Sequence, residues 1–145
     1  MSKKKIIVLA IVALFVLPLL AACGGANDLK VTEGTPDNTY VMELSKDSAK
    51  SGEVTFHITN NAQSETHEFV IVKTDLQASE LPTQQTSEGT EVVESEINVV
   101  DEQEDIAPGD SVDLTANLEP GHYALICNLP DHYEQGMHAD FTVNP

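Results

Sequence analysis

Residues 123–137 read Tyr-Ala-Leu-Ile-Cys-Asn-Leu-Pro-Asp-His-Tyr-Glu-Gln-Gly-Met and carry a thiol, an imidazole and a thioether on one short segment. These groups belong to Cys127, His132 and Met137, which follow the spacing C-x4-H-x4-M. Pro130 lacks an amide proton and restricts the residue before it to extended conformations, which opposes a helix between the cysteine and the histidine. A glycine just before the methionine permits a tight backbone turn. The spacing therefore predicts a loop rather than a helix.

A second imidazole lies upstream, at His67 in the segment Thr-His-Glu-Phe-Val of residues 66–70. Two imidazole nitrogens, one thiolate and one weak sulfur form the ligand set of a mononuclear blue-copper electron-transfer site. Zinc also accepts cysteine and histidine, but a site with one thiolate and a methionine suits copper better. Met137 has an alternative role as a methionine that fills a gap in the core. The candidate metal ligands are His67, Cys127, His132 and Met137. The other histidines, His57, His122 and His138, are predicted to face solvent or to point away from the metal.

The N-terminus resembles a bacterial lipoprotein signal. Three lysines in residues 1–5 precede an apolar run over residues 6–22, as in a signal peptide. The run ends in Leu-Ala-Ala-Cys-Gly, and in lipoproteins the peptidase cuts before this cysteine, whose sulfur then carries a diacylglyceryl group. A single transmembrane anchor is the alternative, since the 17 apolar residues lie at the lower limit for a span. The resemblance implies a signal peptide over residues 1–22, lipidation at Cys23, and an extracytoplasmic domain anchored to the cell membrane, at the cell surface or on the periplasmic side.

The two cysteines and the charge narrow the class of protein. An exported chain with two cysteines normally suggests a disulfide, but lipidation of Cys23 would leave Cys127 without a partner, and metal ligation would protect its thiol. Without residues 1–22 the chain keeps four lysines against 24 acidic residues, a formal charge of −20. Nucleic acid is therefore excluded as an expected partner. A cationic partner surface is favoured, although a soluble exported protein or a saline habitat would also account for the charge.

The rest of the chain predicts strands joined by turns. Residues 23–38 are short of apolar side chains and are predicted to be a lipidated tether, which leaves residues 39–145 as the domain. Apolar side chains alternate in residues 54–58 and 112–118, the period of half-buried strands. The acidic stretch 75–105 is predicted to be a long crossover with one strand near 96–100. Seven or so short strands without a helical period predict an antiparallel β-sandwich.

These motifs together resemble the cupredoxins, the small blue-copper proteins that include plastocyanin, azurin and rusticyanin. The likeness covers residues 39–145 and rests on residues 54–60, residues 67–70, Pro108-Gly109 and residues 123–137. The long ligand loop is closer to the rusticyanin and auracyanin type than to that of plastocyanin. The resemblance implies a Greek-key antiparallel β-sandwich, all-β in class, with one mononuclear type 1 copper centre. It assigns the ligand roles to His67, Cys127, His132 and Met137.

This sequence departs from the cupredoxin pattern at two positions next to ligands. Many relatives have glycine where Asp131 precedes the second histidine, and a carboxylate there would favour Cu(II). Relatives often have asparagine after the first histidine, where its backbone amide bonds to the cysteine sulfur. Glu68 can supply that amide, while the role of its side chain is not predicted.

Two functions are compatible with such a site, and a third is not expected. The favoured hypothesis is a membrane-tethered carrier that cycles between Cu(I) and Cu(II) and exchanges electrons with a cytochrome, an oxidase or a reductase. The alternative is an extracytoplasmic copper chaperone or copper-handling protein, although the mature chain has just two methionines for a delivery path. An enzyme is not expected, because copper oxidases and nitrite reductases need additional copper centres, and a binuclear centre needs two cysteines in the loop.

Overall fold

The computed structural model describes residue 25 and residues 27–145. Its strands are β1 Asp28–Glu33, β2 Met42–Leu44, β3 Ser48–Lys50, β4 Gly52–Asn60, β5 His67–Lys73, β6 Thr83–Gln85, β7 Thr90–Val92, β8 Asn98–Ile106, β9 Ser111–Leu118, β10 Gly121–Ile126 and β11 His138–Asn144. Two 3-10 helices cover Ala78–Glu80 and Glu94–Glu96. The predicted signal peptide and the lipidation site Cys23 lie outside the described residues. No helix in the described part of the chain is long and apolar enough to cross a membrane.

The strands form two sheets that face each other and a small third sheet. The first has the order β2-β1-β4-β9, the second β3-β11-β10-β5-β8, and β6 pairs with β7 alone. The prediction of an all-β sandwich of the cupredoxin type is confirmed. The sandwich is not wholly antiparallel, since β1 runs parallel to β4 and β11 runs parallel to β3.

The main core lies between the two sheets because apolar side chains alternate along their strands. In β4 the inward residues Val54, Phe56 and Ile58 are fully buried, while the residues between them lie partly exposed. Phe56 contacts Phe69 and Phe141 from the opposite sheet, with ring centroids 5.2 and 5.6 Å apart. Burial of such a side chain contributes about 1.5–3 kcal/mol, so this layer supplies much of the stability of the scaffold.

The predicted domain boundary is wrong at the N-terminal side. Residues 28–33, assigned above to the tether, form β1 in the middle of the first sheet, paired with β2 on one side and β4 on the other. Leu29 and Val31 point into the core and are almost fully buried. The neighbouring strands β2 and β4 satisfy the backbone hydrogen bonds of β1, and its three inward side chains are enough to bury one face of the strand. The segment was missed because its other residues are polar.

The acidic stretch 75–105 also contains more structure than was predicted. It forms the β6–β7 hairpin and all but the last residue of the nine-residue strand β8, where a single strand near 96–100 was expected. Ala78, Leu81 and Val92 from this stretch cover the outer face of the second sheet and bury a second apolar cluster with Val70, Val72, Ala124, Ile126 and Tyr133. This cover explains why β5 and β10 read as continuous apolar runs, since strands buried on both faces do not alternate.

Candidate metal centre

The sheet register brings the distant candidate ligands to one end of the sandwich. His67 is the first residue of β5, and Cys127 directly follows β10. These two strands are antiparallel neighbours, with Val70 opposite Ile126. The start of one strand therefore lies beside the end of the other, which places residues that are 60 positions apart next to each other.

Backbone hydrogen bonds close the segment between Cys127 and His138 into a compact loop. The Cys127 amide donates to the Met137 carbonyl at 3.0 Å, and the Met137 amide donates to the His132 carbonyl at 3.2 Å. The His132 amide in turn donates to the Leu129 carbonyl at 3.0 Å. No helix forms within this described loop, as its sequence predicts. The loop returns the chain toward the sheet, and His132 points inward, only 7% exposed.

Three of the four predicted ligands converge on a common point. The donor atoms of His67, Cys127 and His132 all lie within 4.8 Å of one another, and all three residues are buried. The Nδ1 atoms of the two histidines are 3.2 Å apart, and Nδ1 of His132 is 3.3 Å from the Cys127 sulfur. Among the described residues this is the one group of three such side chains that could hold a metal ion.

Burial keeps all three groups in their uncharged forms in the absence of metal. It lowers the pKa of His67 to about 4, with repulsion from His132 adding to the effect and attraction to the Thr39 carbonyl opposing it. Burial also lowers the pKa of His132. The same desolvation raises the pKa of the Cys127 thiol to about 12. The histidines therefore present neutral nitrogens at neutral pH, whereas the cysteine must lose a proton to become a ligand.

The chemistry of this cluster fits a copper ion. Two neutral imidazole nitrogens and one sulfur at a buried point match the strong ligands of a blue-copper site. The Nδ1 atoms face the common point, and Nε2 of His67 is buried without a hydrogen-bond partner among the described residues. The Thr39 carbonyl attracts this ring, and Gly34 packs closely against it. A Cβ atom at that glycine would lie 3.0 Å from Nε2.

Glu68 forms two hydrogen bonds next to the cysteine, one through its backbone amide and one through its side chain. Its amide donates to the Cys127 sulfur at 3.4 Å, as the resemblance implied. Its carboxylate accepts a hydrogen bond from the backbone amide of Asn128 at 2.9 Å, so its side chain contacts the residue that follows the cysteine. Partial burial raises the pKa of Glu68 to about 7, the Asn128 amide opposes the rise, and repulsion from Glu94, Glu102 and Glu104 adds to it.

Met137 lies at the base of the loop and is fully buried. Its backbone bonds to Cys127 and His132, so its position is fixed by the same hydrogen bonds that shape the other ligands. Its role as the axial ligand stays a prediction.

The remaining histidines take part in other contacts. His57 pairs with Asp113 on the outer face of the first sheet at 2.7 Å, and His122 bonds to Asp140 and to the Thr74 carbonyl. The ring of His138 lies beside Tyr133, with centroids 5.2 Å apart.

Two residues near the site were not found from the sequence. Tyr40 packs edge-on against the His132 ring, with centroids 5.0 Å apart. Glu33 is fully buried, and neither of its carboxyl oxygens has a hydrogen-bond partner among the described residues. Burial, together with repulsion from Glu68, raises its pKa well above the ordinary value. The alternation Leu29, Val31, Glu33 could have identified it as an inward position, had β1 been recognised.

An acidic cavity adjoins the ligand loop. It has a volume of about 520 Å³ and lies between the β6–β7 hairpin, Glu68 and residues 128–130. Its lining includes Glu68, Glu88, Glu91 and Glu94 and no lysine or arginine. A cationic group is the complementary occupant for such a surface beside a metal site.

Comparisons with known proteins agree with this geometry. Residues 29–144 match the family model of copper binding proteins, plastocyanin/azurin family. The fold is similar to auracyanin from Roseiflexus castenholzii, with 22% identity and a TM-score of 0.57 over 84% of this chain and 100% of that chain. Auracyanin A from Chloroflexus aurantiacus shows 18% identity and a TM-score of 0.55, covering 81% of this chain and 98% of that one. Rusticyanin from Thiobacillus ferrooxidans shows 17% identity and a TM-score of 0.58, covering 81% and 76%. At these identities the solved structures establish the fold alone. No curated protein sequence matches significantly.

Proposed function

Since this chain belongs to the plastocyanin/azurin family of copper binding proteins, whose cofactor is copper, we propose that it is a type 1 copper protein that transfers electrons. His67, Cys127 and His132 would hold one copper ion, with Met137 as a weak axial ligand. When bound, copper supplies one-electron chemistry by alternating between Cu(I) and Cu(II). Auracyanin A, of similar fold, is described as a blue copper protein, which supports the proposal.

The observation that carries the proposal is the convergence of two Nδ1 atoms and one sulfur at a buried point. The backbone holds these atoms through the hydrogen bonds at Cys127 and Met137, and Glu68 donates to the sulfur. A donor set held in this way requires little rearrangement when the charge of the site changes, which lowers the barrier to electron transfer. We propose that electrons leave through the edge of His132, beside Tyr40, Leu129 and Pro130.

The first test is the visible absorption and electron paramagnetic resonance of the full chain, purified in detergent and loaded with Cu(II). We expect an intense thiolate-to-copper band and a narrow copper hyperfine splitting. Cys127→Ser should abolish both, because a hydroxyl cannot replace the thiolate. A weak spectrum of nitrogen and oxygen ligation that is the same in both proteins would contradict electron transfer and leave copper handling as the remaining function.

The proposed location is outside the cytoplasm, on a lipid anchor at Cys23. The support is the signal sequence with its lipoprotein box. More than one acyl chain gives stable anchoring, where a single chain would dissociate. The anchor would keep the copper end near redox proteins of the same membrane.

The proposed partners are redox proteins with a cationic docking surface, such as a cytochrome, an oxidase or a reductase. The acidic cavity adjoins the ligand loop, so a cationic group seated there lies close to the copper site. Opposite charges increase the rate of encounter more than the final affinity.

Neutralising this cavity should slow electron transfer to cations selectively. In the double variant Glu88→Gln, Glu91→Gln, we expect oxidation of the reduced protein by tris(phenanthroline)cobalt(III) to slow by about two- to five-fold at low ionic strength. The effect should disappear at high salt and reverse in sign with hexacyanoferrate(III). Stopped-flow absorbance measures both rates. Glu53→Gln, at the start of β4 and outside the cavity, is the control. It removes one charge instead of two, so a change in the logarithm of the rate half as large there would assign the effect to net charge rather than to the cavity.

A further inference from the structure

The β6–β7 hairpin lies against the ligand loop and forms hydrogen bonds with the residues next to two candidate ligands, Cys127 and His132. We call residues 83–92 the strap. The Thr90 amide donates to Oδ1 of Asp131 at 2.7 Å, and the Asp131 amide donates to the Thr90 carbonyl at 2.8 Å. Asp131 directly precedes His132. The outer side of Asp131 is exposed, but Thr90 is buried, so this pair of hydrogen bonds is partly shielded from water.

A second pair of hydrogen bonds joins the strap to the other end of the loop. The Val92 amide donates to Oδ1 of Asn128 at 2.6 Å, and Nδ2 of Asn128 donates to the Val92 carbonyl at 3.2 Å. Asn128 directly follows Cys127. The side-chain amide thus completes the backbone hydrogen bonding of a strap residue, as a neighbouring strand would. The segment leading into the strap is tied to the loop as well, through the Tyr133 hydroxyl and the backbone of Ala78 and Leu81.

The backbone of Asp131 needs such support. Its φ angle is +66°, in the left-handed region that non-glycine residues rarely occupy. Glycine adopts this conformation without strain, whereas an aspartate does not. In this chain the two hydrogen bonds between Asp131 and Thr90 offset the backbone strain at Asp131. The approach is close, since a Cβ atom at Gly89 would lie 2.7–2.9 Å from the Asp131 carboxyl group.

We propose that the strap positions the copper ligands, with Asp131 and Asn128 as the positioning residues through which it acts. One fixes the backbone before His132, and the other fixes the backbone after Cys127. The strap therefore holds the imidazole and the sulfur in their binding arrangement before copper arrives. The effect on copper binding rests on the proposed function, whereas the contact between strap and loop rests on the hydrogen bonds described above.

The test compares four single variants of the full chain. Gly89→Ala pushes the strap away from the ligand loop and leaves the sequence of the loop unchanged. Asp131→Ala removes the carboxylate that accepts the hydrogen bond from the Thr90 amide. Asp131→Asn keeps an acceptor oxygen at the same position and should rescue the contact. Gly52→Ala is the matched control, because Gly52 also has a positive φ (+113°) but a Cβ there meets nothing within 4 Å. It carries the backbone strain of an alanine without any contact to the ligand loop.

Two readouts separate the strap from the copper function. In the metal-free protein, amide hydrogen exchange at Thr90 and Asp131 should speed up by about ten-fold or more in Gly89→Ala and Asp131→Ala, with shifted His132 ring resonances. In the copper-loaded protein, transfer of Cu(II) to a chelator should speed up by about ten-fold or more, and the thiolate-to-copper band should shift. Asp131→Asn and Gly52→Ala should stay near the parent protein in both readouts.

The results that would overturn the proposal differ from those that would overturn the function. If Gly89→Ala and Asp131→Ala match Gly52→Ala in exchange and in the His132 resonances, the strap does not position the ligands. If exchange changes as expected but the parent protein shows no thiolate-to-copper band, the proposed function is wrong while the contact between strap and loop remains. If exchange and resonances change but copper release and spectrum do not, the strap supports the fold without positioning the ligands, and the proposal is wrong.

Discussion

Replacing Glu33 with leucine is expected to raise the free energy of unfolding of the metal-free protein by about 2 kcal/mol at pH 8. The parent side chain is fully buried in the first sheet, and neither carboxyl oxygen has a hydrogen-bond partner among the described residues. A buried polar group without a partner loses its hydration and gains nothing in return. Leucine has a similar volume and adds apolar contact in its place. Urea unfolding followed by circular dichroism measures the difference.

The gain should grow as the pH rises. Burial raises the pKa of Glu33 in the folded protein, so the folded state keeps a proton that the unfolded state loses above its ordinary value near 4.5. Stability contributed by this group therefore falls as the pH rises from that value toward the folded pKa. Glu68 acts in the same direction up to about pH 7, while His67, with a folded pKa of about 4, acts in the opposite direction between about pH 4 and 6.5. The difference between parent and variant isolates Glu33.

Two further variants test the cause of the gain. Glu33→Gln cannot ionise and should remove the pH dependence of this group with little gain at pH 5, because its amide is also buried without partners. Glu43→Leu is the matched control, since Glu43 is exposed on the neighbouring strand β2. We expect a change within about 0.5 kcal/mol there. Equal gains at positions 33 and 43 would show that added apolar surface, rather than a buried acid, accounts for the effect.

Cys127 is expected to release one proton to solvent for each copper(I) ion that the metal-free protein takes up at pH 8.5. Burial raises the pKa of this thiol to about 12, so it is protonated before binding and must bind as the thiolate. The pKa values of His67 and His132 are lowered, so both rings are already neutral at pH 8.5 and release none. Because a copper(I) ion replaces the thiol proton, the net charge of the site does not change. The nearby carboxyl groups are therefore not expected to gain or lose protons.

Proton release is measured by anaerobic titration in weak buffer with a pH indicator. The stoichiometry should rise at lower pH, as His132 becomes partly protonated in the metal-free protein. Cys127→Ser should release no proton at pH 8.5, while Met137→Leu should still release one, because a thioether carries none. Uptake of copper by the parent protein without proton release would mean that the thiol is not a ligand, or that it is already ionised.

Much of the site could be predicted because its chemistry is local in the sequence. Cys127, His132 and Met137 lie on one loop, and their side-chain types and spacing do not depend on the rest of the fold. His67 could be added because it begins a clear apolar strand. The strands with regular alternation, such as β4 and β9, were found for the same reason.

The strap and β1 could not be predicted from local pattern. Their backbone groups are satisfied by distant partners, Asn128 and Asp131 for the strap, and β2 and β4 for β1. Such partners leave no periodic signal, and the acidic composition of residues 75–105 argued for a solvated connection. Glu33 was missed with β1, because a glutamate is rarely buried without a partner.

The amino-acid sequence alone determined the all-β class, the copper-binding residue types and the acidic charge, because alternation, loop spacing and composition are properties of nearby residues. The tertiary structure decided which atoms meet. The pairing of β5 with β10 set the 3.2–3.3 Å separations among His67, His132 and Cys127. The packing of the strap held Asp131 in its left-handed conformation, and the first sheet enclosed Glu33. These features depend on contacts between residues far apart in the chain, and such contacts are fixed only when the two sheets and the strap pack together.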